Sequence, residues 1–313
     1  MKLSIVSTLY RSSATIDEFC RRAFAAAQPL FDEIELVLVN DGSPDDSLDR
    51  ALKLHAADPR ITVVDLSRNF GHHKALMTGL AHARGELVFV IDSDLEEEPE
   101  ILRSFYDRMR DGDFDAVFGV MERRKGSFVE NAGGRVFFSL VGALADMQLP
   151  RDLATARLMT RDYVRALLRH REREFAIAHL FALTGFRQTS VPIRKLSLSP
   201  TTYTFGKRFE IALRHLTTTS TKLLYFNLWL GVMVSLGTAV AIVVLLVKYF
   251  VGGIAADGWT SVIVSVWFFG GLITLIQGLH GVYIANILSE TKRRPYTIVR
   301  RVHRAADRPA ATP

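Results

Sequence analysis

The chain has 313 residues, of which 49% are hydrophobic and 23% are charged. This length accommodates one large α/β domain, or one medium domain together with a further element. The single cysteine, Cys20, excludes an internal disulfide and a multi-cysteine metal site, and its helical surroundings indicate core packing.

Short apolar segments alternate with amphipathic segments over the first 91 residues. Buried strands are predicted at residues 2–9, 34–39, 61–66 and 87–91. Helices with one apolar face are predicted between them, at residues 14–27, 45–55 and 74–83. This alternation predicts an α/β fold with a mostly parallel sheet flanked by helices. Ligands bind such sheets at the carboxyl ends of strands, so we expect functional residues directly after Leu9, Val39, Leu66 and Ile91.

A polar segment follows the second predicted strand, with the sequence Asn40-Asp41-Gly42-Ser43. These residue types are ordinary in a turn that leads into a helix, so the segment alone indicates little. Its position at the end of a strand nevertheless makes Asp41 a candidate acceptor for donor groups of a nucleotide base or ribose.

Three acidic residues, Asp92, Asp94 and Glu96, alternate with other residues after the fourth predicted strand. On an extended segment their carboxylates would project to the same side and suit a hard divalent cation shared with a diphosphate. Mg²⁺ or Mn²⁺ fits such oxygen ligands, and the cation would neutralise charge on a leaving diphosphate. The next two residues, Glu97 and Glu98, are interpreted as a solvated acidic turn before a helix.

Two long segments contain no Asp, Glu, Lys or Arg, at residues 225–247 and 258–279. Each is long enough to cross about 30 Å of hydrocarbon as a helix, so two transmembrane helices are predicted. The connection between them carries only Asp257, whereas basic residues follow the second segment. This asymmetry predicts a multi-pass protein in which residues 225–288 form the two transmembrane helices and a short non-cytoplasmic loop between them. The N-terminal domain would then be cytoplasmic. Residues 1–9 are too short an apolar stretch for a signal peptide.

The segment after residue 291 carries the whole formal net charge of +6. Asp307 is its one acidic residue, and its basic residues are Lys292, Arg293, Arg294, Arg300, Arg301, Arg304 and Arg308. We interpret residues 289–313 as a basic cytoplasmic tail attracted to anionic lipid headgroups, and we expect no nucleic acid partner. Residues 209–224 have the pattern of an amphipathic helix at the membrane interface.

Four short segments, taken in order and spacing, resemble a known family. They are Ser4-Ile5-Val6-Ser7-Thr8-Leu9-Tyr10, Val39-Asn40-Asp41-Gly42-Ser43, Arg68-Asn69-Phe70-Gly71 with Gly79-Leu80, and Asp92-Ser93-Asp94-Leu95-Glu96. Residues 1–208 resemble the cytoplasmic catalytic domain of family 2 glycosyltransferases with the GT-A (Rossmann-like) fold. Within that family they resemble polyprenyl-phosphate sugar synthases related to dolichol-phosphate mannose synthase, and the paired apolar segments resemble the bacterial membrane-anchored members.

The resemblance implies roles for residues at the nucleotide end of the site. Nucleotide-binding residues are implied at Thr8, Leu9, Tyr10, Asp41, Asp92 and Ser93. The DXD motif would supply the metal ligands, which are implied at Asp92, Asp94 and Glu96. Relatives usually have Gln at the last of these positions, so this chain adds a negative charge. His72 and His73, where relatives often have Lys and an acidic or amide residue, are interpreted as loop packing.

The phosphate and acceptor residues are also implied by the resemblance. Basic residues for phosphate are expected at Arg123, Arg124, Lys125, Arg135, Lys195, Lys207 and Arg208. For the first three, a solvated basic turn is the alternative interpretation. Relatives commonly have an Asp, acting as base or positioning group, where this chain has Thr155. The catalytic residues are expected to be Asp94, Thr155, Arg157 and, if the alignment is shifted by three residues, Asp152.

The implied reaction is inverting transfer of a sugar from a UDP-, GDP- or dTDP-linked donor to a polyprenyl phosphate. It would use Mg²⁺ or Mn²⁺ at the cytoplasmic face of a bacterial plasma membrane. Two alternatives stay open: transfer to a hydroxyl of a lipid-linked sugar in cell-surface polysaccharide assembly, and a non-catalytic membrane protein that binds nucleotide sugars. Processive relatives carry a Q-x-x-R-W segment that this chain lacks. A homo-oligomer is left open.

Overall fold

The computed structural model describes residues 1–121, 153–172, 175, 177–194, 222–252 and 258–305. The chain divides into two compact units. The first unit comprises Met1–Gly126, Leu149–Thr202 and Arg294–Pro313, and the second comprises Ser127–Gln148 and Tyr203–Arg293.

The first unit is an eight-stranded sheet with helices on both faces. Its strands are β1 (Lys2–Leu9), β2 (Glu33–Asn40), β3 (Ile61–Leu66), β4 (Leu87–Val90), β5 (Ala116–Met121), β6 (Leu153–Thr160), β7 (Gln188–Ile193) and β8 (Val299–His303). Its helices are α1 (Ile16–Ala27), α2 (Ser47–Ala57), α3 (His72–His82), α4 (Leu102–Gly112), α5 (Arg161–Leu167) and α6 (Ile177–Leu183), and a 3₁₀ turn spans Pro99–Ile101. The strands and helices predicted within the first 91 residues are confirmed to within two residues at each end.

The strand order is β7-β5-β6-β4-β1-β2-β3-β8. Four neighbouring pairs are parallel, namely β1–β2, β1–β4, β2–β3 and β5–β7. Three are antiparallel, namely β3–β8, β4–β6 and β5–β6. The α/β fold is confirmed, and among the described strands the sheet is mostly parallel, because six strands run in one direction and only β6 and β8 run against them.

The central strands are buried on both faces, which explains why they read as continuous apolar runs. One face packs against α1 and α4, with Phe19 and Phe105 fully buried. The other face packs against α3, α5 and α6, with Leu80 and Tyr163 fully buried. Gly79 lets α3 approach the sheet closely, because a Cβ there would lie 2.5 Å from the Val6 Cγ1 atom. The core therefore holds the ends of β1, β2 and β4 in a fixed arrangement.

The basic segment near the end of the sequence differs from its prediction as a tail. Residues Val299–His303 form β8, which pairs antiparallel with the edge of β3. Tyr296, Val299 and Val302 pack against the core on the face of the sheet that is covered by α3. The high density of arginine concealed this short strand, whose backbone pairs with the edge of β3 that would otherwise be open.

The second unit contains two long helices, α7 (Lys222–Gly252) and α8 (Trp259–Thr291). Within the described part of the chain, one helical stretch, Ser265–Thr291, is long and apolar enough to cross a membrane, and a shorter apolar stretch spans Leu224–Val234. The two predicted helices are thus present as helices, and one of the two predicted spans is supported. The predicted interfacial helix at residues 209–224 lies almost entirely outside the described residues, as does Asp257.

Candidate active site

The candidate site lies where β1, β2 and β4 end. Parallel pairing sets Leu9 opposite Asn40 and Val6 opposite Val90, so the three strands end at the same edge of the sheet. The loops that follow carry most of the residues predicted to bind a nucleotide. The Leu9 side chain is fully buried, whereas Tyr10 is 47% exposed. Of these two predicted nucleotide contacts, only Tyr10 presents its side chain at the surface, because alternation along β1 turns Leu9 into the core.

Asp45 joins the loop after β1 to the loop after β2. Its carboxylate accepts a hydrogen bond from the Ser13 backbone N–H at 3.2 Å. It also accepts bonds from the hydroxyls of Ser43 and Ser47, at 2.5 and 2.6 Å. Burial raises the pKa of Asp45, but these hydrogen bonds outweigh burial and hold the pKa well below its usual range. The Arg11 backbone N–H donates to Ser43 at 2.7 Å, so the two loops form one hydrogen-bonded unit.

Asp41 anchors the loop between β3 and α3. Its two carboxylate oxygens accept hydrogen bonds from the backbone N–H groups of Phe70 and Gly71, at 2.7 and 3.0 Å. Asp41 is 2% exposed, and burial raises its pKa although the two hydrogen bonds oppose that shift. Gly42 lies against the same loop with φ of +59°, and a Cβ there would be 2.4 Å from the Asn69 nitrogen. The structure therefore gives Asp41 a role in shaping the loop, and its contact with a base stays a prediction.

Ser93 and His72 connect the acidic segment to β1. The Ser93 hydroxyl donates to the Thr8 carbonyl at 2.9 Å, and the Ser93 residue is 4% exposed. Thr8 Oγ1 lies 3.0 Å from His72 Nδ1, and His72 Nε2 lies 3.6 Å from Asp92 Oδ1. The ring of His72 thus lies between two predicted nucleotide-binding residues, and these contacts within the protein agree with its interpretation as loop packing. Ser93 is a buried connector, which its polar sequence context did not reveal.

The acidic segment is a turn rather than an extended strand. Leu95 has φ of +62°, and the Glu96 backbone N–H donates to Asp94 Oδ1 at 2.9 Å. Among the described residues, no group of three or more His, Cys, Asp or Glu is arranged to hold a metal ion. The predicted projection of three carboxylates to one side is thus wrong, because the chain reverses at Leu95. Mg²⁺ is commonly held by one or two carboxylates and substrate phosphates, which Asp92 and Asp94 can satisfy together with a diphosphate.

Glu97 is a buried residue that the sequence reasoning placed in solvent. It is 2% exposed, and its carboxylate accepts the backbone N–H groups of Thr155 and Ala156, at 3.1 and 2.8 Å. Glu98, by contrast, is exposed and pairs with Arg22 at 3.5 Å. Three consecutive glutamates gave no sequence signal that one of them turns inward. Glu97 joins the acidic turn to the strand that carries two predicted catalytic residues.

Arg157, a predicted catalytic residue, is buried on β6. Its guanidinium carbon lies 3.8 Å from the Phe181 ring centroid and 4.8 Å from that of Phe118. Its Nε atom has no hydrogen-bond partner among the described residues, and burial lowers its pKa to about 10. This packing indicates a structural role in the state described, and Arg157 is 2% exposed. Its catalytic role stays a prediction.

Eight of the predicted site residues lie outside the described residues. They are Arg123, Arg124, Lys125, Arg135, Asp152, Lys195, Lys207 and Arg208. Their assignment to phosphate binding and catalysis stays a prediction.

Residues 4–168 match the model of glycosyl transferase family 2. The chain belongs to this family. It is 44% identical over 97% of its length to a Mycobacterium tuberculosis protein whose name places it among glycosyltransferases, covering 89% of that protein. It is 32% identical over 96% of its length to the uncharacterized glycosyltransferase YkcC of Bacillus subtilis, covering 94% of it.

A further relative has a more specific name. The chain is 27% identical over 96% of its length to the undecaprenyl-phosphate 4-deoxy-4-formamido-L-arabinose transferase of Salmonella paratyphi A, covering 93% of that protein. The resemblance to polyprenyl-phosphate sugar transferases, drawn from the motifs, is thus confirmed at the level of family.

Proposed function

We propose that this glycosyl transferase family 2 protein moves a sugar from a nucleotide diphosphate donor to a polyprenyl phosphate, with inversion at the anomeric carbon. The observation that carries this proposal is the meeting of three hydrogen-bonded loops at one sheet edge, with Asp92 and Asp94 beside the end of β1. The similarity to the undecaprenyl-phosphate sugar transferase extends over 96% of the chain and supports the choice of acceptor.

At the donor end, Asp92 and Asp94 would hold Mg²⁺ or Mn²⁺ together with the diphosphate. The cation would supply electrostatic stabilisation of the leaving nucleotide. Tyr10 offers an exposed ring at the same edge, suited to stacking against a base. The loops anchored by Asp41 and Asp45 would keep these groups in place without rearrangement during the reaction.

At the acceptor end, Thr155 replaces the acidic residue that relatives commonly have. A threonine can position an acceptor but cannot remove its proton. A sugar hydroxyl normally needs a general base, which contributes about 10²- to 10⁴-fold. A phosphate monoester has a second pKa of about 6 and is already anionic at neutral pH. We therefore assign a phosphate acceptor, whose oxygen attacks the anomeric carbon while the nucleotide diphosphate leaves from the opposite face.

Membrane attachment is part of the proposal. Ser265–Thr291 would span the bilayer, and residues 225–247 would form a second span. Basic residues Lys292, Arg293 and Arg294 directly follow Ser265–Thr291. They favour a cytoplasmic location for the first unit, which carries the candidate active site and is called the catalytic unit below. The lipid carrier and the cytoplasmic nucleotide sugar would then meet on the same side of the membrane.

The proposal is tested by incubating the purified chain with a panel of nucleotide sugars, with and without undecaprenyl phosphate. We expect one nucleotide sugar to yield a lipid-linked sugar, and chelation by EDTA to abolish the product. Asp94→Asn should reduce transfer by at least about 100-fold, whereas Asp107→Asn, which changes a surface ion pair with Arg103, should leave it unchanged. Thr155→Ala should reduce transfer much less than Asp94→Asn.

Three results would contradict the proposal. Full activity of Asp94→Asn in the presence of EDTA would remove the metal from the mechanism. Transfer only to a lipid-linked sugar, and none to the lipid monophosphate, would replace the acceptor with a hydroxyl. Binding of a nucleotide sugar with no transfer to either lipid would favour the non-catalytic alternative.

A further inference from the structure

The C-terminal strand holds the loop that follows β3. The Ser67 backbone N–H donates to the Ile298 carbonyl at 2.9 Å. The Ser67 carbonyl accepts a hydrogen bond from Arg300 Nη2, also at 2.9 Å. Both backbone polar groups of Ser67 are thus satisfied by the segment that contains β8. Residues 67–71 therefore begin at a point fixed by this strand and end where Asp41 holds Phe70 and Gly71.

Arg300 also connects to the loop after β2, through two buried side chains. Its Nη1 atom lies 3.6 Å from Asp65 Oδ2, and the Asp65 side chain is 6% exposed. Asp65 Oδ1 accepts a hydrogen bond from Asn40 Nδ2 at 2.8 Å. Asn40 Oδ1 in turn accepts the Ser43 backbone N–H at 3.2 Å. A continuous series of polar contacts therefore runs from Arg300 to the segment predicted to bind the nucleotide.

The charge of Asp65 makes this series depend on Arg300. A buried carboxylate is costly unless it is paired and hydrogen-bonded. Among the described residues, Arg300 is the basic side chain that forms an ion pair with Asp65. Loss of Arg300 would leave Asp65 without this compensation and would favour a rearrangement of Asp65 or Asn40 towards water. Either movement would release the Ser43 N–H that fixes the loop after β2.

We propose that Arg300 is a positioning residue for the donor nucleotide, acting through Asp65 and Asn40 on residues 40–43 and through Ser67 on residues 67–71. This inference rests on the proposed function, because it assigns these loops to donor binding. It makes the strand that follows the apolar helices part of the donor site, although β8 itself carries no predicted nucleotide contact.

The matched control is the neighbouring arginine. Arg301 is exposed on the same strand, and within the described part of the chain its side chain makes no hydrogen bond or ion pair. Arg300→Ala and Arg301→Ala therefore remove the same charge from adjacent positions, and only the first removes the contacts to Asp65 and Ser67. Arg300→Lys keeps a charge that can pair with Asp65 and serves as the conservative variant.

The experiment uses the full chain in lipid nanodiscs and two measurements. Hydrogen–deuterium exchange is followed in peptides that cover residues 40–43 and 67–71, and KM is measured separately for the nucleotide sugar and for undecaprenyl phosphate. Arg300→Ala should accelerate exchange in both peptides and raise the donor KM about fivefold or more, with the lipid KM and kcat within about twofold of wild type. Arg301→Ala should change neither measurement. Arg300→Lys should give a donor KM between that of wild type and that of Arg300→Ala.

The two measurements separate failure of this inference from failure of the proposed function. Equal effects of Arg300→Ala and Arg301→Ala, or faster exchange confined to β8, would overturn the positioning role. A rise in the lipid KM in place of the donor KM would also overturn it. If the wild-type chain transfers no sugar, the proposed function fails. Hydrogen–deuterium exchange still tests the inference in that case, because unchanged exchange in residues 40–43 and 67–71 of Arg300→Ala would reject the link between Arg300 and the loops.

Discussion

Replacing Glu97 by Gln should destabilise the catalytic unit although it preserves the size of the side chain. The carboxylate accepts two backbone N–H groups, from Thr155 and Ala156, in a site where Glu97 is 2% exposed. A glutamine keeps one acceptor oxygen but places its NH₂ group against the second N–H donor. A hydrogen bond to a charged group contributes about 1.5–3 kcal/mol, and an unsatisfied buried donor costs about 1–3 kcal/mol. We therefore expect a loss of about 2–3 kcal/mol.

The assay is thermal unfolding of the purified chain, monitored by circular dichroism at neutral pH. For a domain of this size the loss corresponds to a decrease in Tm of about 4–12 °C. Glu98→Gln is the control, because Glu98 is exposed and its ion pair with Arg22 is 3.5 Å long, so its change should be below about 1 kcal/mol. Equal Tm values for the two variants would show that Glu97 does not hold β6 to the acidic turn.

Three further outcomes follow from the described contacts. Asp45→Asn should lower the free energy of unfolding by roughly 1 kcal/mol at pH 7. Because the native pKa of Asp45 is lowered, its contribution is complete above the ordinary carboxyl pKa of 3.8 and is lost progressively as pH falls from there towards the native pKa. The difference in urea midpoint from wild type should therefore shrink as pH falls below 3.8. Arg157→Met should change the free energy of unfolding by less than about 1 kcal/mol in the same urea titration. An apolar chain can replace a guanidinium packed against two rings, and the hydrogen bond from its Nη1 to Gln188 Oε1 is long, at 3.4 Å. A larger loss would show that the charge or this hydrogen bond stabilises the fold. In intact cells an impermeant thiol reagent should label Ala256→Cys but not Cys20. Cys20 is 3% exposed, and burial raises the pKa of its thiol to about 12. The reverse pattern would reject the proposed topology.

The first half of the catalytic unit could be predicted because local and tertiary preferences agree there. Strands β1 to β4 are largely buried and appear in the sequence as apolar runs. Helix α1 has one apolar face, and α3 is buried over residues 75–80. Their lengths and order place the polar segments at the strand ends. The position of the candidate site therefore followed from periodicity before any side-chain contact was known.

The contacts inside the site could not be predicted in the same way. The sequence shows Glu97 and Glu98 as equivalent acidic residues of a solvated turn, yet Glu97 is directed to the backbone of a distant strand after the turn at Leu95. Likewise, β8 lies more than two hundred residues from β3, and its arginines favoured an interpretation as a solvated tail. Pairing between such distant segments depends on the assembled sheet and leaves little local signal.

The place of β8 in the chain has a consequence for biosynthesis. Because this strand is translated after both long helices, the ribosome releases the edge of β3 unpaired, and it stays so while the helices are being made. A nascent chain with an open strand edge is prone to pairing with other chains. A fragment that stops before the helices would keep that edge permanently, so we expect residues 1–208 alone to aggregate unless a peptide containing residues 294–305 is supplied. Soluble production of residues 1–208 would then require this strand, either as a separate peptide or joined covalently to the fragment.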